Sequence, residues 1–296
     1  MIVDAHAHAF PTVEWGHEWQ RMLGVPEPRR SGQIDELGAL MDAAPIDRTV
    51  VLLNARSGEY FAELTAAGVP EDEARERVRT QIFELNRWGV ELGARDPRFL
   101  PFVGVNVRFM SAAEIIAEIE ELAARGAQGV KIIPPSMQVY ADDELLWPVY
   151  ARCADLGLPL LSQSGTGGGP PPHPGADSFG RPARFDTALR EFPGLTLILA
   201  HMGHGYEEDI VELCARHDHV YTDTSLRLSR LGREGHPTPE ELVALIRRIG
   251  SDRVLLGTNY PFVDPVSYRR RLESLPLTDG ERTLVAGENF LRAVAA

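Results

Sequence analysis

Two histidines two positions apart, His6 and His8, close a short apolar run, Ile2-Val-Asp-Ala-His-Ala-His8. In an extended strand alternate side chains share a face. Both imidazoles then leave the strand end together, as neutral nitrogens suited to a divalent metal. Taken alone, such a pair reads equally as an exposed polar strand end. Further along, other apolar runs also end in polar side chains: Asn54 with Arg56 just beyond, Asn106 with Arg108, Lys131, Gln163, His201 with His204, Asp223 with Thr224, and Asn259. Core filling does not call for a polar end on every run. Parallel strands of one sheet would bring these ends to one face.

The elements that must position them follow from alternation. Val/Ile/Leu-rich runs near residues 2–6, 49–53, 99–105, 129–133, 158–162, 195–200, 219–223 and 253–257 predict eight strands. Most are continuously apolar, as expected of a parallel sheet buried on both faces. Helices lie between them with explicit boundary chemistry. Ser111 with Glu114, Thr238 with Glu241, and Thr278 with Glu281 are capping boxes, and Pro239 sits at a first helical position. Asp142 is expected to cap a helix that ends at Gly157. Eight such units in 296 residues predict a single (β/α)8 TIM barrel over residues 1–296. No Gly-x-Gly-x-x-Gly follows the first strand, which disfavours an open dinucleotide-binding sheet. Irregular stretches at 10–32, 54–71, 163–181 and 225–237 follow strands one, two, five and seven, where a barrel builds its site. The Gly/Pro-rich run within 163–181 reads as a surface loop or as a lid over that site.

Composition sets the outer bounds. The net charge is -13 and 44% of residues are hydrophobic. An acidic chain has no basic excess for phosphates, so a nucleic-acid partner is not expected. No run of about 18 apolar residues occurs, so no membrane partner is expected. No basic, apolar leader opens the chain, and the expectation is a cytoplasmic protein. Cys153 and Cys214 fall in predicted helices and read as reduced, partly buried thiols.

Six stretches, in order, carry a resemblance: Asp4-Ala-His-Ala-His8, Gly129-Val-Lys-Ile-Ile-Pro134, Asp155-Leu-Gly-Leu-Pro159, Leu199-Ala-His-Met-Gly203, Leu256-Gly-Thr-Asn-Tyr-Pro-Phe262 and Gly287-Glu-Asn-Phe290. The chain resembles the amidohydrolase superfamily, specifically the amidohydrolase-related group that includes aminocarboxymuconate-semialdehyde decarboxylase and pyrone-dicarboxylate lactonase. The resemblance implies a distorted barrel with one divalent metal, usually zinc, at the C-terminal face of the strands. It implies metal ligands at His6 and His8, and His201 as a nearby acid/base or a third ligand. It also implies a homo-oligomer, a dimer or tetramer. Two positions depart from the pattern. Gln163 stands where the group has a histidine ligand, and Asn259 where it has an aspartate. An amide is a weak neutral donor and is not a base near neutral pH, so a degenerate metal site is expected.

The leading reading is therefore a hydrolase of a small carboxylated amide or lactone. In it His201, titrating near neutrality, serves as acid/base. Lys131 anchors a substrate carboxylate or pairs with a barrel carboxylate such as Asp223. Gln163, Asn259, Arg56 and Arg108 are expected to bind substrate. A lyase that decarboxylates or isomerises a small unsaturated acid is the alternative, since such chemistry suffers less from a missing aspartate base. A non-catalytic ligand-binding barrel is a third reading, motivated by the two amides. His17 and His173, in long loops, are candidate substitute ligands, and Trp15 and Trp19 candidate pocket walls.

Overall fold

A computed structural model describes residues 1–55, 57–166 and 177–295. Among them eight parallel strands form one sheet in chain order: β1 (Val3–Ala7), β2 (Arg48–Leu53), β3 (Phe99–Gly104), β4 (Gly129–Ile132), β5 (Leu160–Ser162), β6 (Leu197–Leu199), β7 (Val220–Asp223) and β8 (Val254–Leu255). Backbone bonds close the sheet on itself: Ala5 N to Leu256 O, His8 N to Tyr260 O and Asn259 N to His6 O are each 2.7 Å. The fold is the expected (β/α)8 barrel, and each strand overlaps its predicted run. Arg56 and residues 167–176, which include His173 and most of the Gly/Pro-rich run, lie outside the described residues.

Strand alternation builds two apolar layers. Val50, Leu52, Leu100, Phe102, Leu161, Ile198, Tyr221 and Leu255 form an interior cluster, joined by Phe290 and Ala293 of the last helix. The intervening Val51, Leu53, Val103, Leu160 and Leu199 pack outward against the helices. Strand β1 breaks this rule where it matters. Val3 and Ala5 belong to the interior cluster and Ala7 to the outer one. Strict alternation from Ala5 would aim His6 outward. Between Asp4 and Ala7, however, β1 advances three residues while β2 advances two, from Thr49 to Val51. This β-bulge re-aims the strand, so His6 and His8 both reach the cavity above the core.

All three capping boxes form as read, and Gly157 ends its helix in the left-handed region. One cap is corrected. Asp143, not Asp142, accepts the backbone N–H of Leu145, while Asp142 pairs with Arg184 at 3.0 Å. Three of the irregular stretches also hold helices, Val13–Met22, Ser57–Ala66 and Arg227–Arg230. The Gly287-Glu-Asn-Phe290 stretch fastens the C-terminal segment beneath the barrel. A Cβ at Gly287 would lie 2.3 Å from the Met1 carbonyl oxygen. Asn289 donates to the carbonyls of Ser251 and Val254, both at 2.8 Å. Cys153 and Cys214 are free and buried, as expected.

Asn86 ties the helix Glu71–Arg95 to the end of β3. It exchanges two hydrogen bonds with the Gly104 backbone, at 2.8 and 2.9 Å, and donates to Glu118 at 3.1 Å. Replacing Asn86 by Leu keeps the volume and orphans all three buried groups. The expected loss is about 3 kcal/mol of unfolding free energy, read as a lower urea midpoint at unchanged slope.

Candidate active site

The ends of β1, β4, β5 and β6 and the loops after β7 and β8 surround a cavity of about 790 Å³ whose walls include His6, His8, Lys131, Gln163, His201 and Asn259. That volume suits a small organic ligand. The convergence read from the strand ends is therefore present. Trp19 lines the cavity, with its ring 4.6 Å from that of His8 and its Nε1 donating to the Asn54 carbonyl at 2.9 Å. Trp15, His17 and Arg108 do not line it. Arg108 instead stacks over Phe61 and Phe109, 5.4 Å from each ring.

Asp223, at the end of β7, organises the histidines. Its Oδ2 accepts from His6 Nδ1 at 2.8 Å. Its Oδ1 accepts from the backbone N–H groups of His201 (3.0 Å) and Ser225 (2.9 Å), and from the Ser225 hydroxyl. Burial would push this carboxyl up, but the converging donors hold it ionised, well below the usual carboxylate range. A hydroxyl has one hydrogen, and Ser225 gives it to Asp223. Ser225 Oγ then accepts from His201 Nδ1 at 2.6 Å, with the Ser225 carbonyl 3.3 Å from the same nitrogen. His201 Nε2 lies within hydrogen-bond distance of Gln163 Oε1, at 3.1 Å. His201 holds φ 63° and Met202 φ 52°, left-handed conformations that cost energy in residues other than glycine. The bond from His201 N to Asp223 pins that turn.

Two expectations are corrected here. His201 does not titrate near neutrality: burial, with the nearby His6, lowers its pKa to about 3, so the ring is neutral at physiological pH. Nor does Lys131 pair with Asp223. Its Nζ is buried and has no hydrogen-bond partner among the described residues, and Asp223 is already committed. Burial, partly offset by the Asp223 charge, lowers the Lys131 pKa to about 7. Burial likewise lowers the pKa of His6 and His8.

The neutral imidazoles bear on a metal. His6, His201 and Asp223 place ligand atoms within 4.8 Å of one another, whereas the expected trio was His6, His8 and His201. Asp223 Oδ2 accepts from His6 Nδ1, so the carboxylate also backs His6, in the carboxylate–histidine arrangement that orients metal ligands. His8 Nδ1 and Asn259 Oδ1 are buried lone-pair donors without partners, and both residues line the cavity. The donor set fits a divalent ion held by imidazole nitrogens and an amide oxygen, with Asp223 the carboxylate near enough to join them. Sequence reasoning named Asp223 as a polar strand end and as a partner for Lys131, gave it no role toward the histidines, and passed over Ser225. The polar run Asp223-Thr-Ser225 at a strand end was the available signal.

A barrel with histidines of β1 and β6 gathered over a strand-end carboxylate defines the class. Residues 3–293 match the model of the amidohydrolase family, and the chain belongs to that family of enzymes. Solved structures share the fold at low identity. An uncharacterised TIM-barrel protein from Bordetella bronchiseptica is 20% identical with a TM-score of 0.72, covering 99% of this chain and 98% of its own. The 5-carboxyvanillate decarboxylase of Sphingomonas paucimobilis is 19% identical with a TM-score of 0.68, at 99% and 98% coverage. A dihydroxybenzoic acid decarboxylase from Polaromonas, solved with manganese and 2-nitroresorcinol, is 17% identical with a TM-score of 0.70, at 99% and 96% coverage. No curated protein matches the sequence. Among the described residues no helix is long and apolar enough to cross a membrane.

Replacing Asp223 by Asn keeps the shape but removes the charge and presents N–H groups to donors. Unfolding free energy is expected to fall by about 3 kcal/mol or more, the scale of breaking a buried charged pair. In a variant that still folds, the His6 tautomer read by ¹⁵N NMR is expected to lose its preference for a proton on Nδ1. A wild-type tautomer and midpoint would show that Asp223 does not hold the site together.

Proposed function

We propose that the protein hydrolyses a small carboxylated lactone or amide, with Lys131 holding the substrate carboxylate and His201 moving the proton. One observation carries the reading. An unpartnered buried ammonium and a neutral imidazole share one cavity, and the imidazole is held through Ser225 against an ionised carboxylate. His201 Nε2 takes a proton from water as the oxygen bonds to the carbonyl carbon. The resulting imidazolium is stabilised on one side by Ser225 and Asp223 and on the other by Gln163 Oε1, placed to accept from the protonated Nε2. The proton then passes to the leaving oxygen or nitrogen as the carbonyl re-forms. A divalent ion of the zinc or manganese kind, held by His6, His8 and Asn259, would polarise the carbonyl when bound.

The same residues support a second reading, non-oxidative decarboxylation of a small unsaturated acid. The Lys131 ammonium favours it, because a pKa of about 7 suits proton donation to the carbon that loses carbon dioxide. Product analysis separates the two. Hydrolysis yields a new carboxylate and no carbon dioxide, while decarboxylation releases it.

A screen of small lactones, amides and unsaturated carboxylic acids tests the reading. On the substrate found, His201→Ala and His201→Asn are each expected to lower kcat by a factor of about 10² or more. Near-wild-type turnover in both would make His201 structural.

Lys131→Met is expected to raise KM by about tenfold or more, the scale of a lost charge-assisted hydrogen bond. The pH profile checks the same assignment. Lys131 is charged below its lowered pKa and neutral above it, so kcat/KM is expected to fall as pH rises through about 7. That limb should vanish in Lys131→Met. With His201 near 3, no imidazole limb is expected between pH 5 and 7.

A further inference from the structure

Lys131 is not the only buried cation facing the cavity. Arg227, just beyond β7, is 7% exposed, lines the same cavity, and has a buried Nε without a partner among the described residues. Its Nη2 pairs with Glu207 at 2.9 Å, which fixes the guanidinium in place while leaving the Nε edge unused. Arg230, Arg233 and Arg271 line the wall beside it, and none has a carboxylate within 4 Å among the described residues. The acidic residue on this wall, Asp264, is taken by Arg30 at 2.6 Å. The field of this wall reaches His204, whose pKa is lowered first by burial and then by Arg227 and Arg230. Glu207 offsets Arg227, and Arg271 donates to the Leu228 carbonyl at 3.1 Å, but Arg230 and Arg233 on the same wall of a chain with net charge -13 are not explained by a ligand with a single charge held at Lys131.

We infer that the cavity takes a small dianion: one carboxylate on Lys131 and a second anionic group, carboxylate or phosphate, on the wall of Arg227, Arg230 and Arg233. The inference rests on the substrate reading given above for the Lys131 end. A guanidinium offers a planar fork to either kind of anion. Partial burial of Arg227 strengthens its interaction, because the local dielectric is low. Lys131 is on β4 and the arginines follow β7, with β5 and β6 between them in the sheet, so the two anionic groups would bind apart from each other with His201, at the end of β6, between their anchors. The second anion thereby sets orientation as well as affinity.

Calorimetric titration of the intact protein tests this without a known substrate. The probes are linear dicarboxylates from malonate to pimelate, each against the monocarboxylate of equal carbon number, with 3-phosphonopropionate against succinate. At one or more lengths the dicarboxylate is expected to bind about tenfold or more tightly than its monocarboxylate. In Arg230→Gln with Arg233→Gln, two changes at the cavity mouth, that advantage should disappear while monocarboxylate binding is kept. Whichever of succinate and 3-phosphonopropionate binds more tightly identifies the second group. Equal binding of dicarboxylates and monocarboxylates at every length overturns the inference, as does an advantage that survives in the double variant. The Lys131 reading is judged separately. If Lys131→Met leaves monocarboxylate binding unchanged, that anchor fails, whatever the arginine variants show.

Discussion

The site depends on one buried carboxylate. Asp223 is fully buried and charged, a state that is costly unless hydrogen bonds replace the lost hydration. Four donors do so: the His6 ring, the Ser225 hydroxyl, and the backbone N–H groups of Ser225 and His201. Each of those bonds also sets something the cavity needs. The first puts the proton of His6 on Nδ1 and turns Nε2 free. The second directs the hydroxyl hydrogen away from His201, which fixes that ring's tautomer through Nδ1. The last holds the left-handed turn that swings the imidazole over the barrel. A single charge thus selects the protonation state and direction of two rings from different strands.

Barrel closure supplies the rigid frame. Asp4 reaches across the seam between β1 and the chain after β8, accepting from Thr258 Oγ1 at 2.5 Å and Thr258 N at 2.9 Å. Burial raises its pKa to about 7, against the pull of the Thr258 bonds. The next residue, Asn259, sits at φ 64° with its backbone N–H bonded to the His6 carbonyl at 2.7 Å. The seam that closes the sheet is therefore also the piece that sets Asn259 beside the β1 histidines. Strain at His201, Met202 and Asn259 persists because packed strands and multiple bonds over-determine each position.

Electrostatics then divide the labour. The molecule is acidic overall, which favours solubility, yet its cavity presents Lys131 at the floor and guanidinium groups on one wall. Local sign in a recessed, low-dielectric cleft governs what enters it more than net charge does. Neutral imidazoles between those cations fit the same logic, because further positive charge beside Lys131 is disfavoured and burial removes it from the rings.

The sequence by itself determined the barrel, since eight apolar runs, caps at Ser111, Thr238 and Thr278, and the absence of a phosphate-loop motif are local signals with short-range causes. It also determined the set of polar strand ends, because every parallel strand in a closed barrel must deliver its last residue to the same face. What each residue does there was decided by tertiary structure. The β1 bulge that turns His6 inward comes from pairing with β2, which period-two reading of β1 alone does not register. The pKa of His201 depends on burial by residues distant in sequence, so an ordinary value near 6.5 misstates its charge. Asp223 could be read as a partner for Lys131 until the fold put His6, 217 positions away in the chain, within reach of its carboxylate. Arg108 and Arg227 look alike in sequence. One lies on aromatic rings and the other faces the cavity, because long side chains end where tertiary packing leaves room for them.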